Sequence, residues 1–434
     1  MFPWLKRIVL VCCRPLSRYV GLSSGEDCVL GVEDYPVLWH RDLEKHSCGE
    51  FSFAVVQANQ VCEDYAHVEP GREGTFVGVY DGHGGHDASR FSFDNLSRHL
   101  ITLAREKGTI DEEVLNNAFT ATEDGFLSIV KREFHVDPGI ASTGCCCLVG
   151  VIWRRTLYFA NLGDCRAVLG HTGRFNRIVA EQLTNDHNVR IKEVRDELRA
   201  LHPDNPNIVS RVGSSWCVKG IIKVTRAIGD AFLKKPEFAL GAEPLRRPVL
   251  RADPSVSSRN LQPCDRFVIF ASAGLWDLLS NEEAVQIVHT YPRQGIARRL
   301  VLSAMNVAAR ARKKYDDLMN YDKGVRRALH DDITVVVIFI DHNMLNDELS
   351  VPGMSVRGFV DTHRPSDFNI EQEVATETEP TETELIESEP TETELIESEP
   401  TETEPTETEP TESEPTESEP TESEPTETEL TETV

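Results

Sequence analysis

The chain has 434 residues and a formal net charge of −27 at pH 7, and this length suits one large domain or two ordinary ones. The charge is concentrated in residues 371–434, which hold 25 Glu and no Lys or Arg, so the first 370 residues are nearly neutral. This balance gives no basic excess of the kind that binds nucleic acid. The 11 Cys lack the paired spacing of a zinc site or a disulfide scaffold, which favours buried, reduced thiols in the cytosol or nucleus.

The N-terminal segment is basic and apolar, and its first twenty residues hold four Lys or Arg and no acid. Its apolar stretch, residues 8–13, is too short to span a bilayer, and no clear cleavage site follows it. The pattern fits a basic amphipathic helix at a membrane surface or a transit peptide, with Cys12 and Cys13 as acylation candidates. A leader without function explains it equally well. We therefore treat residues 1–44 as a leader, with peripheral membrane contact as one expectation.

Hydrophobic periodicity predicts strands and helices in blocks rather than in strict alternation. In chain order these are strands 51–58 and 75–81, helices 87–106 and 111–134, strands 144–153, 156–161 and 166–169, helix 188–201, strands 220–228 and 267–272, helices 282–290 and 295–315, and strand 333–340. Blocks of this kind predict an α+β fold with two packed antiparallel β-sheets flanked by antiparallel helices. No boundary signal interrupts residues 45–342, so we expect one domain there.

The C-terminal part of the chain loses the apolar pattern after Asp341. Residues 343–370 are predicted to be a polar linker. From residue 371 the chain becomes acidic, and it then repeats Thr-Glu-Thr-Glu-Pro and Thr-Glu-Ser-Glu-Pro. Regularly spaced Pro and like-charge repulsion predict a disordered tail. Such a tail fits an interaction arm or a phosphorylation substrate, but we favour a low-complexity expansion with little function.

Several predicted strands have acids at one end, and Asp81 after strand 75–81 is the clearest case. Glycines follow Asp81 directly, so backbone atoms can approach whatever its carboxylate holds. The other acids of this kind are Glu63-Asp64, Asp164, Asp230 and Asp331-Asp332. Carboxylates without clustered His or Cys favour a hard cation, Mg²⁺ or Mn²⁺, over zinc.

An ordered set of motifs spans residues 50–341 of this chain. They are Glu63-Asp64, Tyr80-Asp-Gly-His-Gly-Gly85, Ser142-Thr-Gly144, Asn161-Leu-Gly-Asp-Cys-Arg-Ala167, Leu183-Thr-Asn-Asp-His187, Val224-Thr-Arg-Ala-Ile-Gly-Asp230, Phe270-Ala-Ser-Ala-Gly-Leu-Trp-Asp277 and Asp331-Asp-Ile-Thr334. In type and order they resemble the motifs of the metal-dependent (type 2C) Ser/Thr protein phosphatases, most closely a plant subgroup. The resemblance implies a β-sandwich with helices outside and two Mg²⁺ or Mn²⁺ ions at one end.

By motif position, the resemblance also implies roles for individual residues. Asp81 would bridge the two ions, the Gly82 carbonyl would bind one, and Asp331 would bind the other. Glu63 would act through bound water, and Asp164 would belong to an accessory ion site. A water shared by two ions can attack a phosphoserine or phosphothreonine phosphorus. In that scheme His83 would protonate the leaving oxygen.

Two departures from the family pattern bear on activity. Ala273 stands where the family has an Asp that should bind metal directly, so one metal position is degenerate. Asn59 stands where many members carry the Arg that grips substrate phosphate, although close plant relatives also lack it. The substrate-binding residues therefore stay unassigned.

Three functions are compatible with this sequence. The first is a protein Ser/Thr phosphatase whose weakened centre depends on Mg²⁺ or Mn²⁺. The second is a catalytically impaired module that binds phosphoproteins or regulators, and the third, a remote one, is a scaffold built on the acidic tail. We expect a monomer with phosphoprotein substrates, located in the cytoplasm or nucleus or peripherally at the plasma membrane.

Overall fold

The computed structural model describes residues 37–72, 74–239, 245–312, 321–344, 353–360, 364–368 and 370. The predicted acidic tail, 371–434, and all but the last residues of the predicted leader lie outside the described residues, so both stay predictions. Within the described residues, no helix combines the length and the apolar character that a membrane span requires.

The described residues form sixteen strands and six α-helices. The strands are β1 (Leu38–His46), β2 (Gly49–Val56), β3 (Asp64–Pro70), β4 (Gly74–His83), β5 (Gly144–Trp153), β6 (Thr156–Leu162), β7 (Arg166–Thr172), β8 (Ile178–Gln182), β9 (Val209–Val212), β10 (Ser215–Val218), β11 (Ile228–Gly229), β12 (Ser255–Asn260), β13 (Asp265–Ala271), β14 (Ile333–Phe339), β15 (Met354–Arg357) and β16 (Arg364–Pro365). The helices are α1 (Asp87–Lys107), α2 (Glu112–Glu133), α3 (Lys192–Leu201), α4 (Ala273–Trp276), α5 (Asn281–Thr290) and α6 (Ile296–Arg312).

The strands build two antiparallel sheets and a separate hairpin. Sheet I has the order β1-β2-β14-β13-β7-β8, and sheet II has the order β12-β6-β5-β4-β3-β15-β16, with β11 also paired to β5. Strands β9 and β10 pair with each other as a hairpin and, among the described strands, join neither sheet. The predicted α+β sandwich is confirmed.

The sheets pack face to face and carry helices on their outer faces. Phe53 of sheet I and Val77 of sheet II lie in the core between the sheets, where Phe270 packs so tightly that a Cβ at Gly150 would lie 2.4 Å from its ring. Helices α1 and α2 cover sheet II, while α5 and α6 cover sheet I. Because both faces of the central strands are covered, β5 and β14 are buried at every residue. This explains their continuous apolar runs.

The predicted helices agree with the observed ones to within one residue at each described end, except that α3 begins at Lys192 rather than at 188; residues 313–315 of the last predicted helix lie outside the described residues. The strand predicted over 220–228 is wrong. Its β-branched residues lie in turns and isolated bridges, because Lys219 and Gly220 take positive φ angles of 50° and 73° and reverse the chain. Among the described residues, Ile228 and Gly229 pair with β5, and Ile222 forms an isolated bridge to Val218 at the end of β10.

Described strands lie beyond both predicted ends of the domain, residues 45 and 342, and the domain boundaries themselves stay a prediction. The predicted start at residue 45 falls inside β1, which pairs with β2 from Leu38 onward. The predicted linker 343–370 contains β15, which adds to sheet II beside β3. Phe368 and Ile370 are 2% and 7% exposed within the core of sheet II and its helices. A few apolar anchors in a polar segment produce no periodicity, so the sequence did not reveal them.

Candidate metal centre

The predicted acids converge at one end of the sandwich. Strands β3 and β4 pair so that Asp64 lies directly opposite Asp81. Asp331 precedes β14, and Asp164 follows β6. Burial raises the pKa of Asp81 well above its ordinary value, and the charges of Asp64, Asp331 and Asp164 raise it further. Four carboxyl groups from separate strand ends therefore act on one another at this site.

Glu63 belongs to the same cluster. Burial raises its pKa, as do the charges of Asp332 and Asp331. Its backbone carbonyl accepts a hydrogen bond from the backbone N–H of Gly82 at 3.1 Å. A Cβ at position 82 would lie 2.5 Å from that carbonyl oxygen, so only glycine fits here.

The second acid of the Asp331-Asp332 pair has a structural task. The Asp332 carboxylate is buried and accepts hydrogen bonds from the backbone N–H groups of Ala58, Asn59 and Glu63 at 2.6, 3.0 and 2.8 Å. The Asn59 side chain donates to Asp332 at 3.1 Å and to Glu63 at 3.2 Å. The Asn59 side chain therefore positions the carboxylates of Asp332 and Glu63.

Position 273 lies directly beside Asp81. The backbone N–H of Ala273, at the start of α4, donates to Oδ2 of Asp81 at 2.9 Å. Alanine offers no side-chain oxygen at this position. The role of position 273 as a degenerate metal position stays a prediction.

His83, the predicted general acid, pairs with Asp230, for which the sequence predicted no individual role. His83 Nε2 lies 2.8 Å from Oδ2 of Asp230, which is 1% exposed and holds a left-handed backbone with φ 48°. A Cβ at Gly144 would lie 2.2 Å from His83 Nε2 and 2.3 Å from that Oδ2, so glycine permits the contact. The only available signal was the Gly-Asp that ends its motif.

The electrostatic setting of His83 follows from this pair. Burial alone would lower its pKa, but the charge and hydrogen bond of Asp230, with the charges of Asp164 and Glu63, raise it above the ordinary value. A histidine in this setting stays protonated at higher pH than a free one. A protonated histidine is a group that can donate a proton to a leaving oxygen.

Asp164 marks the side of the cluster on which Arg190 lies. Its Oδ2 accepts a hydrogen bond from Asn188 Nδ2 at 2.7 Å, and Cys146 Sγ lies 3.4 Å from its Oδ1. Nearby, Asp277 pairs with Arg190 at 2.5 Å. The acids on this side therefore already have polar or cationic partners.

The oxygen atoms of these groups are of the kind that bind a hard divalent cation, but one carboxylate ligand is missing from the set. Buried carboxylates that raise one another's pKa, together with the Gly82 carbonyl, are the oxygen donors that Mg²⁺ and Mn²⁺ prefer. Ala273, however, adds no side-chain oxygen. Among the described residues, no group of three or more His, Cys, Asp or Glu side chains is arranged to hold a metal ion.

Comparison with known proteins identifies the family. The family model described as protein phosphatase 2C matches residues 47–314. "Probable protein phosphatase 2C 43" of Oryza sativa subsp. japonica is 55% identical over 85% of this chain and 98% of its own length, and "Probable protein phosphatase 2C 68" of Arabidopsis thaliana is 52% identical over 85% and 99%.

The fold recurs in a solved structure with much lower identity. The crystal structure of a serine-threonine phosphatase 2C from Toxoplasma gondii is 18% identical, with a TM-score of 0.53 over 70% of this chain and 99% of that one. From the family match and the two plant relatives, we conclude that this chain belongs to the protein phosphatase 2C family of metal-dependent Ser/Thr protein phosphatases, and within it to a plant subgroup.

Proposed function

We propose that this chain hydrolyses phosphoserine and phosphothreonine in proteins, using an ion centre weakened by alanine at position 273. The observation that carries the proposal is the convergence of Asp81, Asp331 and Asp164, whose charges act on one another at one end of the sandwich. Such a cluster is unfavourable in a folded protein unless cations or protons compensate it. Its presence in this fold supports a binding role for divalent ions.

The residues that would hold the ions are those at the strand ends. The carboxylates of Asp81 and Asp331 and the carbonyl of Gly82 would bind directly, Glu63 would bind through water, and Asp164 would serve an accessory ion. Bound ions supply positive charge that stabilises the phosphoryl oxygens and lowers the pKa of water. Because Ala273 removes one carboxylate, we expect the affinity for ions to be low and the activity to need high Mn²⁺.

His83 supports the same reaction from the other side. Its Nε2 proton is held by Asp230, and the Asp230 charge keeps the ring protonated. The second ring nitrogen, Nδ1, can then give its proton to the leaving serine or threonine oxygen. The buried position of Asp230 fixes the orientation of the ring.

A specific observation favours the second candidate, an impaired module that binds phosphoproteins or regulators. Oδ2 of Asp81 is occupied by the Ala273 backbone N–H, and Asp331 is paired with Arg327 at 2.7 Å. Both predicted ligands thus have competing partners while one carboxylate is absent. Under this proposal the cluster retains its shape and its phosphoprotein affinity but turns over slowly or not at all.

The decisive experiment measures phosphate release from a phosphothreonine peptide across a Mn²⁺ series. Wild type, Ala273→Asp and Ala273→Asn are compared, since asparagine matches the shape of aspartate without its charge. We expect wild type to be active at high Mn²⁺ and Ala273→Asp to reach the same rate at lower Mn²⁺. Asparagine should give little of this gain, because the charge on the added oxygen binds the cation.

Each outcome distinguishes the two candidates. Turnover by Ala273→Asp alone supports the impaired module and contradicts a working wild-type enzyme. Equal Mn²⁺ dependence in all three proteins contradicts the assignment of position 273 to the ion centre. Asp331→Asn serves as the loss control and should abolish turnover in every background.

A further inference from the structure

The carboxylate cluster has the same sign of charge as the phosphate group that it is proposed to receive. A phosphorylated side chain carries about −1.5 to −2 charges at neutral pH. Divalent ions offset this repulsion, but Ala273 removes one ligand that would hold them. A cationic side chain next to the cluster should therefore contribute more to phosphate binding in this chain than in a protein with a complete ligand set.

We compare three arginines that contact acids near the cluster, Arg166, Arg190 and Arg327. Arg166 makes the most hydrogen bonds of the three. Its Nε and Nη2 bond Asp186 at 3.2 and 2.5 Å, and its Nη1 bonds Asn281 at 2.8 Å. Its guanidinium also lies 5.2 Å from the centre of the Trp276 ring. Arg166 therefore stabilises the fold, and three of its five N–H groups are already engaged by Asp186 and Asn281.

Arg190 lies on the accessory side of the cluster. It pairs with Asp277, and the charges of Asp164 and Asp186 also act on it. A guanidinium among these three acids compensates their charge in the way that an accessory cation would. Arg190 is thus a competing candidate for substrate contact and must be tested beside Arg327.

Arg327 lies at the rim of the cluster, on the side of Glu63. Its Nη1 pairs with Asp331 Oδ2 at 2.7 Å, its side chain is 51% exposed, and its charge opposes the rise of the Glu63 pKa. In the described part of the chain, Arg327 makes no salt bridge other than this one. Its guanidinium can therefore turn toward a ligand from solvent at little cost.

The backbone that carries Arg327 is held firmly. The neighbouring Arg326 is 1% exposed, and its carbonyl accepts the N–H groups of Leu329 and His330 at 2.8 and 3.1 Å. Gly324 of the same segment donates its N–H to the Ala58 carbonyl at 2.8 Å, next to the Asn59 loop. A flexible guanidinium on a fixed base is suited to binding an incoming anion.

We propose that Arg327 binds the phosphate group of phosphoserine or phosphothreonine substrates, exchanging its pairing with Asp331 for the phosphate. This inference rests on the proposed function. After the exchange both charged groups still have a partner of opposite charge. The guanidinium contacts phosphate oxygens, and the Asp331 carboxylate becomes available to a divalent ion. A planar guanidinium can contact two of those oxygens at once, which a lysine ammonium cannot do in the same geometry.

The test measures equilibrium binding as well as turnover on the full chain. Calorimetry gives the Kd of inorganic phosphate and of a phosphothreonine peptide in saturating Mn²⁺, and a separate titration gives the Mn²⁺ affinity. We expect Arg327→Ala to weaken phosphate and peptide binding by about tenfold or more, since a charge-assisted hydrogen bond contributes that much. Its Mn²⁺ affinity should stay equal or rise, because Asp331 loses a competing partner.

Companion variants separate the explanations. Arg327→Lys should recover part of the phosphate affinity, and Arg132→Gln, an exposed arginine on α2 that pairs with Glu133, should change nothing. If wild type binds phosphate but releases none from the peptide, the proposed function fails while a loss of binding in Arg327→Ala still supports this inference. Unchanged phosphate affinity in Arg327→Ala, a parallel loss of Mn²⁺ affinity, or a loss in Arg190→Ala alone overturns it.

Discussion

The buried ion pair between Glu123 of α2 and Lys234 gives the sharpest stability prediction. Lys234 Nζ lies 2.6 Å from Glu123 Oε1 and 2.6 Å from the Ala227 carbonyl oxygen, and both side chains are less than one tenth exposed. Glu123 Oε2 accepts the N–H of Gly229 at 2.9 Å, one residue before Asp230. The pair therefore supports the segment that holds the partner of His83.

Removing only the lysine leaves a carboxylate buried without its counter-charge. Lys234→Met keeps much of the side-chain volume, so the change is mainly electrostatic. We expect it to lower the free energy of unfolding by about 3–5 kcal/mol. A domain has roughly 5–15 kcal/mol in total, so much of the stability should be lost.

A double variant tests the reasoning. Glu123→Gln combined with Lys234→Met removes both charges but keeps an oxygen for Gly229, so we expect it to recover about 2 kcal/mol relative to Lys234→Met. Urea unfolding followed by circular dichroism measures all three free energies, with an unchanged m-value as the control. A loss below about 1 kcal/mol in Lys234→Met, or no recovery in the double variant, would refute the account.

Three further predictions concern His83, His46 and the C-terminal anchor. Asp230→Asn should lower the pKa of His83, because it removes the charge that raises it, and proton NMR of the ring should show titration at lower pH than in wild type. Burial lowers the pKa of His46 to about 4 from 6.5, so wild type should lose up to about 3 kcal/mol of stability as pH falls from 6.5 to 4. His46→Gln should flatten that slope in unfolding measured across this range, and an unchanged slope would contradict it. Phe368→Ala should cost about 3–5 kcal/mol in urea unfolding, because the ring is 2% exposed against Phe76; a loss under about 1 kcal/mol would show that the segment is not part of the core.

Much of the site could be predicted because its residues lie at the ends of strongly patterned strands. The run before Asp81 is buried at every residue of β4 up to that acid, so its apolar sequence identified both the strand and its end. The motifs then supplied the order of the other acids. Local pattern and motif order together were enough for the fold class and for the convergence of the carboxylates.

The remaining features depend on contacts between residues distant in sequence. Asp332 looks like a second ligand beside Asp331, yet it accepts N–H groups from the loop around Ala58, more than 270 residues away. Asp230 meets His83 across 147 residues and only because Gly144 leaves room. Neither contact has a periodic signal, since periodicity reports on a residue's own element.

The pairing of β15 with β3 has a consequence for synthesis on the ribosome. Val356 lies opposite Val68, so among the described strands one side of β3 has no partner until the chain has grown by nearly 290 further residues. Until then a nascent chain presents an open strand edge, which invites wrong pairing between copies. Chaperone protection of that edge should matter most late in translation, and shortening the chain before residue 354 should leave a soluble but aggregation-prone product.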